Sequence, residues 1–521
     1  MRLMREVSIA AAVLVLAAAH AVAQDIQWAN GVNGNWDDVT KWNPQNIPNN
    51  ASENARITAA GAYTVTMNGY YFVGELSITQ PTVHVDHLGG LYLVLNGNMV
   101  NAGIYTINSN LSTSNAYLRF DGGDYTISGT GQIVMVLGSA DLNDARIDTS
   151  AATITQAAGH TIRGAGSIGA ILTNNGTIIA EGDQQTLQFV DTAKTNNGLI
   201  KATAGATFQI NGGVPVTQGA QGVILAENGR VNLVGATLVG GTIQTTDQGQ
   251  VRASNFNTLN AVDNEGAVGI NDSSYIVVHG GMTNNGVITV NPDGGASNAV
   301  LRFDNDPQTL DGEGAVILKL GSADLNDAQL GTNGSTLTVG AGQTIRGSGR
   351  FTGNSQVTVQ GTLVPGDSEV GQFDVQGSIA LDPSAVCKAD IAAANSYDQI
   401  TVSGVATVGG EVDITLLDGF VPDTCFVVPL VTGGSVQGAF DSVNGDPGSG
   451  RVWRILYTAT QAKAIVTCYA DMAVDCQLDL FDFLAFVNLF NDNDPSADCT
   501  TDGTFDLFDF LCFVNAFNEG C

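Results

Sequence analysis

Basic side chains are scarce in this chain: 19 Lys and Arg stand against 50 Asp and Glu in 521 residues, a formal charge of −31. Such a surface repels phosphate backbones and anionic lipid alike, which argues against a nucleic-acid partner. Histidine numbers five, too few for a persuasive transition-metal site, and no Ser-His-Asp, HExxH, CxxC or phosphate-loop pattern stands out. No catalytic residue is nominated, and the chain reads as a non-enzyme. Beyond the N-terminal stretch, nothing approaches the roughly 18 to 20 unbroken apolar residues of a membrane-crossing helix. Proline is rare at 12, whereas glycine is abundant at 64. With 44% hydrophobic residues, that pairing points to tight turns between regular strands and not to disorder. Cysteine is absent before Cys387, and five of the seven cysteines fall in the last 54 positions. In an exported protein this clustering reads as local disulfide stapling, and an odd count leaves at least one thiol over.

Export is the expectation from residues 1–23, where Arg2 and Arg5 precede an apolar run from Ile9 to Ala19 and then Ala21-Val22-Ala23. This is the three-part plan of a secretory signal peptide, so the mature chain is expected to begin near Gln24 and to be extracellular.

Residues 24–366 consist of short Val, Ile, Leu and Thr runs separated by Asn-Gly or Gly-Gly. The segments "NNGTIIA" from Asn174, "NNGLIKA" from Asn196, "QGVILAE" from Gln221, "VGGTIQT" from Val239, "NEGAVGI" from Asn264 and "NNGVITV" from Asn284 place marker glycines 22, 24, 19, 25 and 20 residues apart. One coil of a parallel β-helix has about this length: two or three short strands joined by turns in which Gly or Asn takes φ > 0. Stacked coils then share a core of β-branched residues. A hairpin-based sandwich is the alternative. A longer repeat overlies the coils, because residues 97–169 match 280–352 at a constant shift of 183: "LRFD" at Leu118 and Leu301, "LGSADLNDA" at Leu137 and Leu320, "TIRGAG" at Thr161 and "TIRGSG" at Thr344. The repeated Arg119 and Arg302, Asp141, Asp144, Asp324 and Asp327, and Arg163 and Arg346 read as corner and surface residues, not as two copies of a lyase site. Trp28, Trp36 and Trp42 read as a lid over the open first coil, with sugar stacking as the alternative.

The "GNW" opening, the "NNGTIxA" coils and the stretch from "LVPGDSEVGQFDVQGSIAL" to "GAFDSV" resemble the repeat regions of bacterial autotransporter-like surface proteins. That resemblance implies a mainly β fold, a right-handed parallel β-helix closed by a β-rich cap over 367–466. Cys387 and Cys425 lie within this cap, where they could pair with each other.

The tail, 468–521, writes one phrase twice. "ADMAVDCQLDLFDFLAFVNLFN" from Ala470 aligns without a gap on "ADCTTDGTFDLFDFLCFVNAFN" from Ala497, a shift of 27. Each copy sets aspartate at loop positions 1, 5, 9 and 12: Asp471, Asp475, Asp479 and Asp482, then Asp498, Asp502, Asp506 and Asp509. Calcium gathers about six to eight hard oxygens from an EF-hand-like loop with this spacing. The position 7 carbonyls would be those of Gln477 and Thr504, and Thr500 offers a hydroxyl at position 3. Gly503 sits where the second loop turns sharply, whereas Cys476 and Ala473 make the first loop the weaker of the two. On the first helix, Leu480, Phe483, Leu484, Val487 and Phe490 or Asn491 follow one inward stripe. Phe481, Phe486 and Leu489, with Phe508 and Phe513 of the second copy, fall outside it: either the two helices cover each other's second stripe, or these residues form a partner surface.

The paired loop-helix pattern resembles a dockerin domain of the kind that begins near a Cys and ends on Gly-Cys. It implies an α-helical, EF-hand-like module holding calcium and recognised by a cohesin-like receptor. A bond between Cys468 and Cys521 would clasp the module's two ends, with one further bridge among Cys476, Cys499 and Cys512. The expected protein is therefore a secreted surface or matrix β-helix docked through a calcium-dependent tail, its body a spacer, adhesin or carbohydrate-contacting surface. The competing reading is a dockerin-bearing polysaccharide lyase or glycoside hydrolase, and a third is a tail that associates with itself.

Overall fold

The computed structural model describes residues 23–305, 307–448 and 450–520. The expected signal segment up to residue 22 and Cys521 lie outside the described residues.

Alternation of apolar and polar residues gives strands that bury every second side chain, as in Thr177–Ala180 and Thr186–Phe189. Their pairing is parallel and long-range. Leu172–Asn174, Lys194–Asn196 and Pro215–Gln218 stack on a first face, Thr177–Ala180, Leu199–Thr203 and Val223–Glu227 on a second, and Thr186–Phe189, Thr207–Asn211 and Arg230–Val234 on a third. Each strand thus bonds to strands one coil before and one coil after it. The molecule is mainly β, with long parallel sheets compatible with a β-solenoid, and the hairpin sandwich is not what forms. One apolar core runs through the coils from Ile26 to Val466.

The coil glycines are required for a reason other than the one the sequence suggested. Gly176, Gly198, Gly222, Gly266 and Gly286 do not have positive φ; among the marker glycines Gly241 does. Instead, a Cβ on Gly198 would lie 2.2 Å from the Gly176 carbonyl oxygen, and one on Gly286 2.1 Å from that of Gly266. The coils pack backbone to backbone at these corners, the first pair lying between the first and second faces and the other between the second and third, leaving no room for a side chain.

Beside those glycines runs a column of buried amides. The Asn174 amide donates to Asn196 Oδ1 at 2.8 Å, and Asn196 donates to Gln218 Oε1 at 3.1 Å. Further along the stack and one face round, a second such row has Asn264 donating to Asn284 Oδ1 at 2.7 Å. Each of these asparagines is almost completely buried, so the column meets the requirement that interior polar groups be paired. The Asn174 and Asn264 side chains also accept from the glycine N–H two residues on, which fixes the corner.

The duplicated block returns one face further round the coil. Ala116–Asp121 lies on the third face, whereas its counterpart Ala299–Phe303 joins the first through Tyr275–His279 and Phe256–Asn260. Ile104–Ile107 is on the second face and Val287–Val290 on the third. Both copies keep the same local chemistry. Asp144 accepts from Ser139 N at 2.7 Å and Asp327 from Ser322 N at 2.7 Å, each tying its own loop. Arg119 pairs with Asp121, Arg302 with Asp304, Arg163 with Glu181 and Arg346 with Asp367. These are the corner and surface roles read from the sequence.

At the N-terminal end the three indoles are buried, with Trp28 and Trp42 centroids 4.9 Å apart and Trp36 and Trp42 5.0 Å apart. They close the first coil and present no ring face to a sugar. At the other end parallel stacking continues into the expected cap through longer strands, Gln372–Leu381, Gln399–Val408 and Val427–Gly438. The stack is then closed by antiparallel pairing of Gln461–Cys468 with Val427–Gly438 and Arg451–Tyr457.

Candidate functional site

Cys468 ends the last strand, and the terminal module follows without a linker. Two helices carry it, α1 (Leu480–Asn491) and α2 (Leu507–Glu519), packed over their own small core. Asp479 and Asp506 are the N-caps, each with a reciprocal bond from the aspartate three residues on. Positions 9 and 12 of the repeated phrase are therefore capping boxes, which start the helices whether or not a metal is bound.

The two loops have the same backbone. Val474 and Thr501 share φ 57, and Cys476 (φ 64) occupies the left-handed position that Gly503 (φ 77) takes in the second loop. Asp471 accepts from the N–H of Asp475 at 3.1 Å and of Cys476 at 3.0 Å, and Asp498 accepts from those of Asp502 at 3.2 Å and Gly503 at 2.8 Å. Asp475 and Asp502 bond the N–H groups of Gln477 and Thr504. Asp482 closes the first loop on the N–H groups of Ala473 and Asp479, both at 2.9 Å. Asp509 does the same for Thr500 and Asp506, and the Thr500 hydroxyl also donates to it at 2.9 Å. Asp482 and Asp509 are fully buried.

Electrostatics separate the loops. Burial pushes the Asp471 carboxyl up, and the carboxylates of Asp482 and Asp475 push it the same way. The backbone N–H groups of Asp506 and Thr500 hold Asp509 below the usual carboxylate range. Near the first loop lies Arg454, whose guanidinium donates to the Tyr469 carbonyl at 2.9 Å. Burial pushes Arg454 down, and the carboxylates of Asp471, Asp482 and Asp494 oppose that. Among the described residues no such cation attends the second loop, and no three His, Cys, Asp or Glu side chains are gathered closely enough to hold a metal ion.

Several expected roles change. Phe486 and Phe513 do not face a partner: they are matched residues of the two copies, fully buried and stacked at 4.0 Å between centroids in the centre of the module. Leu489 packs against the same core. Phe481 and Phe508 are exposed, each 66%, as expected. Leu480 and Leu484, read as part of the inward stripe, are exposed with them, as are Leu507 and Leu511. Phe483, Val487 and Phe490 face inward as expected, and Phe486 joins them in place of Leu480 and Leu484.

The cysteines also pair differently. Cys425 bonds to Cys476, so it does not bond to Cys387, which is free and buried. Cys499 bonds to Cys512, and Cys468 is disulfide-bonded. The expected partner of Cys468, Cys521, lies outside the described residues. The Cys425 to Cys476 bond and Arg454 were missed because both depend on where the last hairpin stands beside the first loop.

No protein-family model and no curated protein matches this chain. Among the described residues no helix is long and apolar enough to cross a membrane.

Proposed function

We propose that this is an exported, elongated surface or matrix protein, a right-handed β-helix held in place by a dockerin-like, EF-hand-like C-terminal module that loads calcium and docks on a cohesin-like receptor. The observation that carries the reading is the exposed apolar set Leu480, Phe481 and Leu484, repeated as Leu507, Phe508 and Leu511 at the starts of the two helices. A module this small has little reason to leave six large apolar side chains in water unless another protein covers them. Their repetition at a shift of 27 offers one receptor two equivalent surfaces.

Calcium fits the donor chemistry. Each loop offers carboxylates and one backbone carbonyl, all hard oxygens, and no nitrogen or thiolate ligand. Asp498, Asp502, Asp506 and Asp509 with the Thr504 carbonyl would hold the ion of the second loop, and Asp471, Asp475, Asp479 and Asp482 with the Gln477 carbonyl that of the first. Because the side chains are not gathered closely enough to hold an ion in this structure, binding would have to draw them together, and the ion would neutralise their mutual repulsion.

The test is calcium calorimetry on the full chain, followed by hydrogen exchange with calcium and with chelator. Heat of binding, with protection gained over residues 469–520, supports the reading. Equal protection in both buffers and no calcium uptake refute it. Sedimentation in the same buffers separates receptor docking from self-association, which would appear as a calcium-dependent dimer. Reducing-end or unsaturated-uronate release from polysaccharides would favour the enzyme instead.

A further inference from the structure

The terminal module has no cation of its own. Residues 469–521 hold ten aspartates and one glutamate and not one Lys, Arg or His, a formal charge of −11 within the chain's −31. Two calcium ions, at +2 each, would still leave it at −7. The arginine that approaches from the body, Arg454, spends its guanidinium on the Tyr469 carbonyl and the Met472 sulfur. A surface that covers the module therefore meets carboxylates with no basic side chain of the module beside them.

Several of those carboxylates border the exposed apolar residues. Asp479 directly precedes Leu480 and Phe481, and Asp506 directly precedes Leu507 and Phe508, each as the cap of its helix. Asp475 and Asp502 are exposed on the loops just before. One turn beyond Leu484 and Leu511 stand Asn488 and Asn515, exposed and uncharged. The result is an apolar patch with an acidic border, written twice.

That border decides between occupants. A second copy of the module would bring −11 against −11, and the rest of the chain carries the remaining −20 of the −31, so neither tail nor body of this chain is suited to cover the patch. An uncharged apolar surface would strip water from the carboxylates and return nothing. A basic one returns charge-assisted hydrogen bonds at the rim while its apolar centre covers the leucines and phenylalanines.

We infer that the receptor presents a cationic docking face, an apolar centre ringed by Lys and Arg. This rests on the docking reading above and adds the chemistry of the partner. Charge steers the approach and apolar contact holds the complex, so added salt should slow capture more than it speeds release.

The probe is a set of synthetic amphipathic helical peptides titrated on the full chain in calcium. One has a leucine face flanked by lysines, one the same face flanked by glutamates, and one keeps the lysines with alanine in place of leucine. The expected result is saturable binding of the leucine-lysine peptide, binding of the alanine-lysine peptide weaker by about tenfold or more, and none of the glutamate peptide. Raising NaCl from about 50 mM to about 500 mM should weaken the leucine-lysine peptide by about tenfold. Asn488→Lys with Asn515→Lys adds a cation beside each patch and removes no carboxylate, and it should weaken that peptide severalfold, whereas Asn488→Asp with Asn515→Asp should tighten it. Both positions are exposed on helices, so circular dichroism melts of the lysine variant should match the parent. The inference is overturned if the glutamate peptide binds as well as the lysine one, if no peptide binds, if removing the leucines changes nothing, or if the lysine variant binds as the parent does. Calcium uptake is read on the same sample: any of these results with the ion bound overturns the basic partner alone, whereas absent uptake overturns the docking reading on which it rests.

Discussion

His160 should make the coils acid-labile, and the duplication supplies its own remedy. The ring is buried, with Nε2 3.2 Å from the Asn101 amide nitrogen and Nδ1 without a partner. Because the Asn101 oxygen already accepts from Gly103 N–H at 3.1 Å, its NH₂ faces the ring and Nε2 must accept. A proton on Nε2 would break that contact. Burial accordingly pushes the imidazole down to about 4, from an ordinary value of about 6.5. Unfolded chain therefore takes up a proton before folded chain does, so stability is complete above about pH 6.5 and is lost as pH falls towards about 4. A depression of about 2.5 units corresponds to about 3 kcal/mol across that window. In the second copy Gln343 stands at the matched place, accepts from the Asn284 amide at 3.0 Å, and donates to the carbonyls of Asn284 at 2.6 Å and Asp311 at 3.0 Å. His160→Gln should reproduce that arrangement with no group to titrate. Hydrogen exchange of peptides spanning residues 128–180, at neutral pH and near pH ~4, reads local opening free energy directly. The parent should lose about 3 kcal/mol more than the variant between those two conditions. Parallel losses in both proteins would refute the reasoning, because His87, also buried and pushed down to about 3, is present in each and cancels.

Gly198→Ala, whose Cβ would meet the Gly176 carbonyl at 2.2 Å, should cost about 3 kcal/mol or more in denaturant unfolding. Gly122→Ala, at φ +83 with nothing within 4 Å, should cost about 1 kcal/mol from backbone strain alone; equal effects would show that coil contact is not what selects glycine. Replacing Cys425 and Cys476 together by Ser removes a closure between residues 51 apart, worth about 4 kcal/mol in the chain-entropy picture. Limited proteolysis should then cut the module while leaving the coils intact. Asp502→Asn should weaken calcium uptake more than Asp475→Asn, because Arg454 lies near the first loop alone, and calorimetry of the full chain reads the order.

Much of the coil architecture was legible because stacking imposes a period and each short strand carries its own alternation. The function of the marker glycines was not legible. Asn-Gly is the signature of a left-handed turn, and nothing local distinguishes that from a corner where two backbones touch. Asn174 and Asn196 looked like corner residues, and the interior column that they form follows only from placing consecutive coils in register. The 183-residue repeat was plain in the sequence, but its rotation by one face was not. Coil lengths vary, Thr161 standing opposite Thr177 and Leu199 opposite Val223, so a fixed shift does not return to the same azimuth. In the tail, the apolar runs after the aspartate loops marked both helices, whereas the capping role of Asp479 and Asp506 was not foreseen. Phe483, Val487 and Phe490 were read correctly as inward, but Leu480 and Leu484, which keep helical spacing with them, are exposed, and Phe486 is buried in their stead.

The pairing of Cys476 bears on how the tail works. In the second loop the left-handed position is filled by Gly503, where an added Cβ would meet nothing within 4 Å, so that this side of the loop faces open space. In the first, a cysteine accepts the same backbone conformation, which costs a non-glycine residue about 1 kcal/mol, and uses it to bond to Cys425 in the body. Arg454 adds a buried contact from the body to the Tyr469 carbonyl beside that loop. The first loop is thus held to the solenoid by a covalent bond and a hydrogen bond, and the second is held by its own hydrogen bonds and the Cys499 to Cys512 bridge. If calcium orders the module, its effect should concentrate in the second loop and α2, where no tie to the body substitutes for the ion. The apolar residues at both helix starts would then be carried on a head fixed to the end of the coils, so that docking orients the whole solenoid and does not merely retain it.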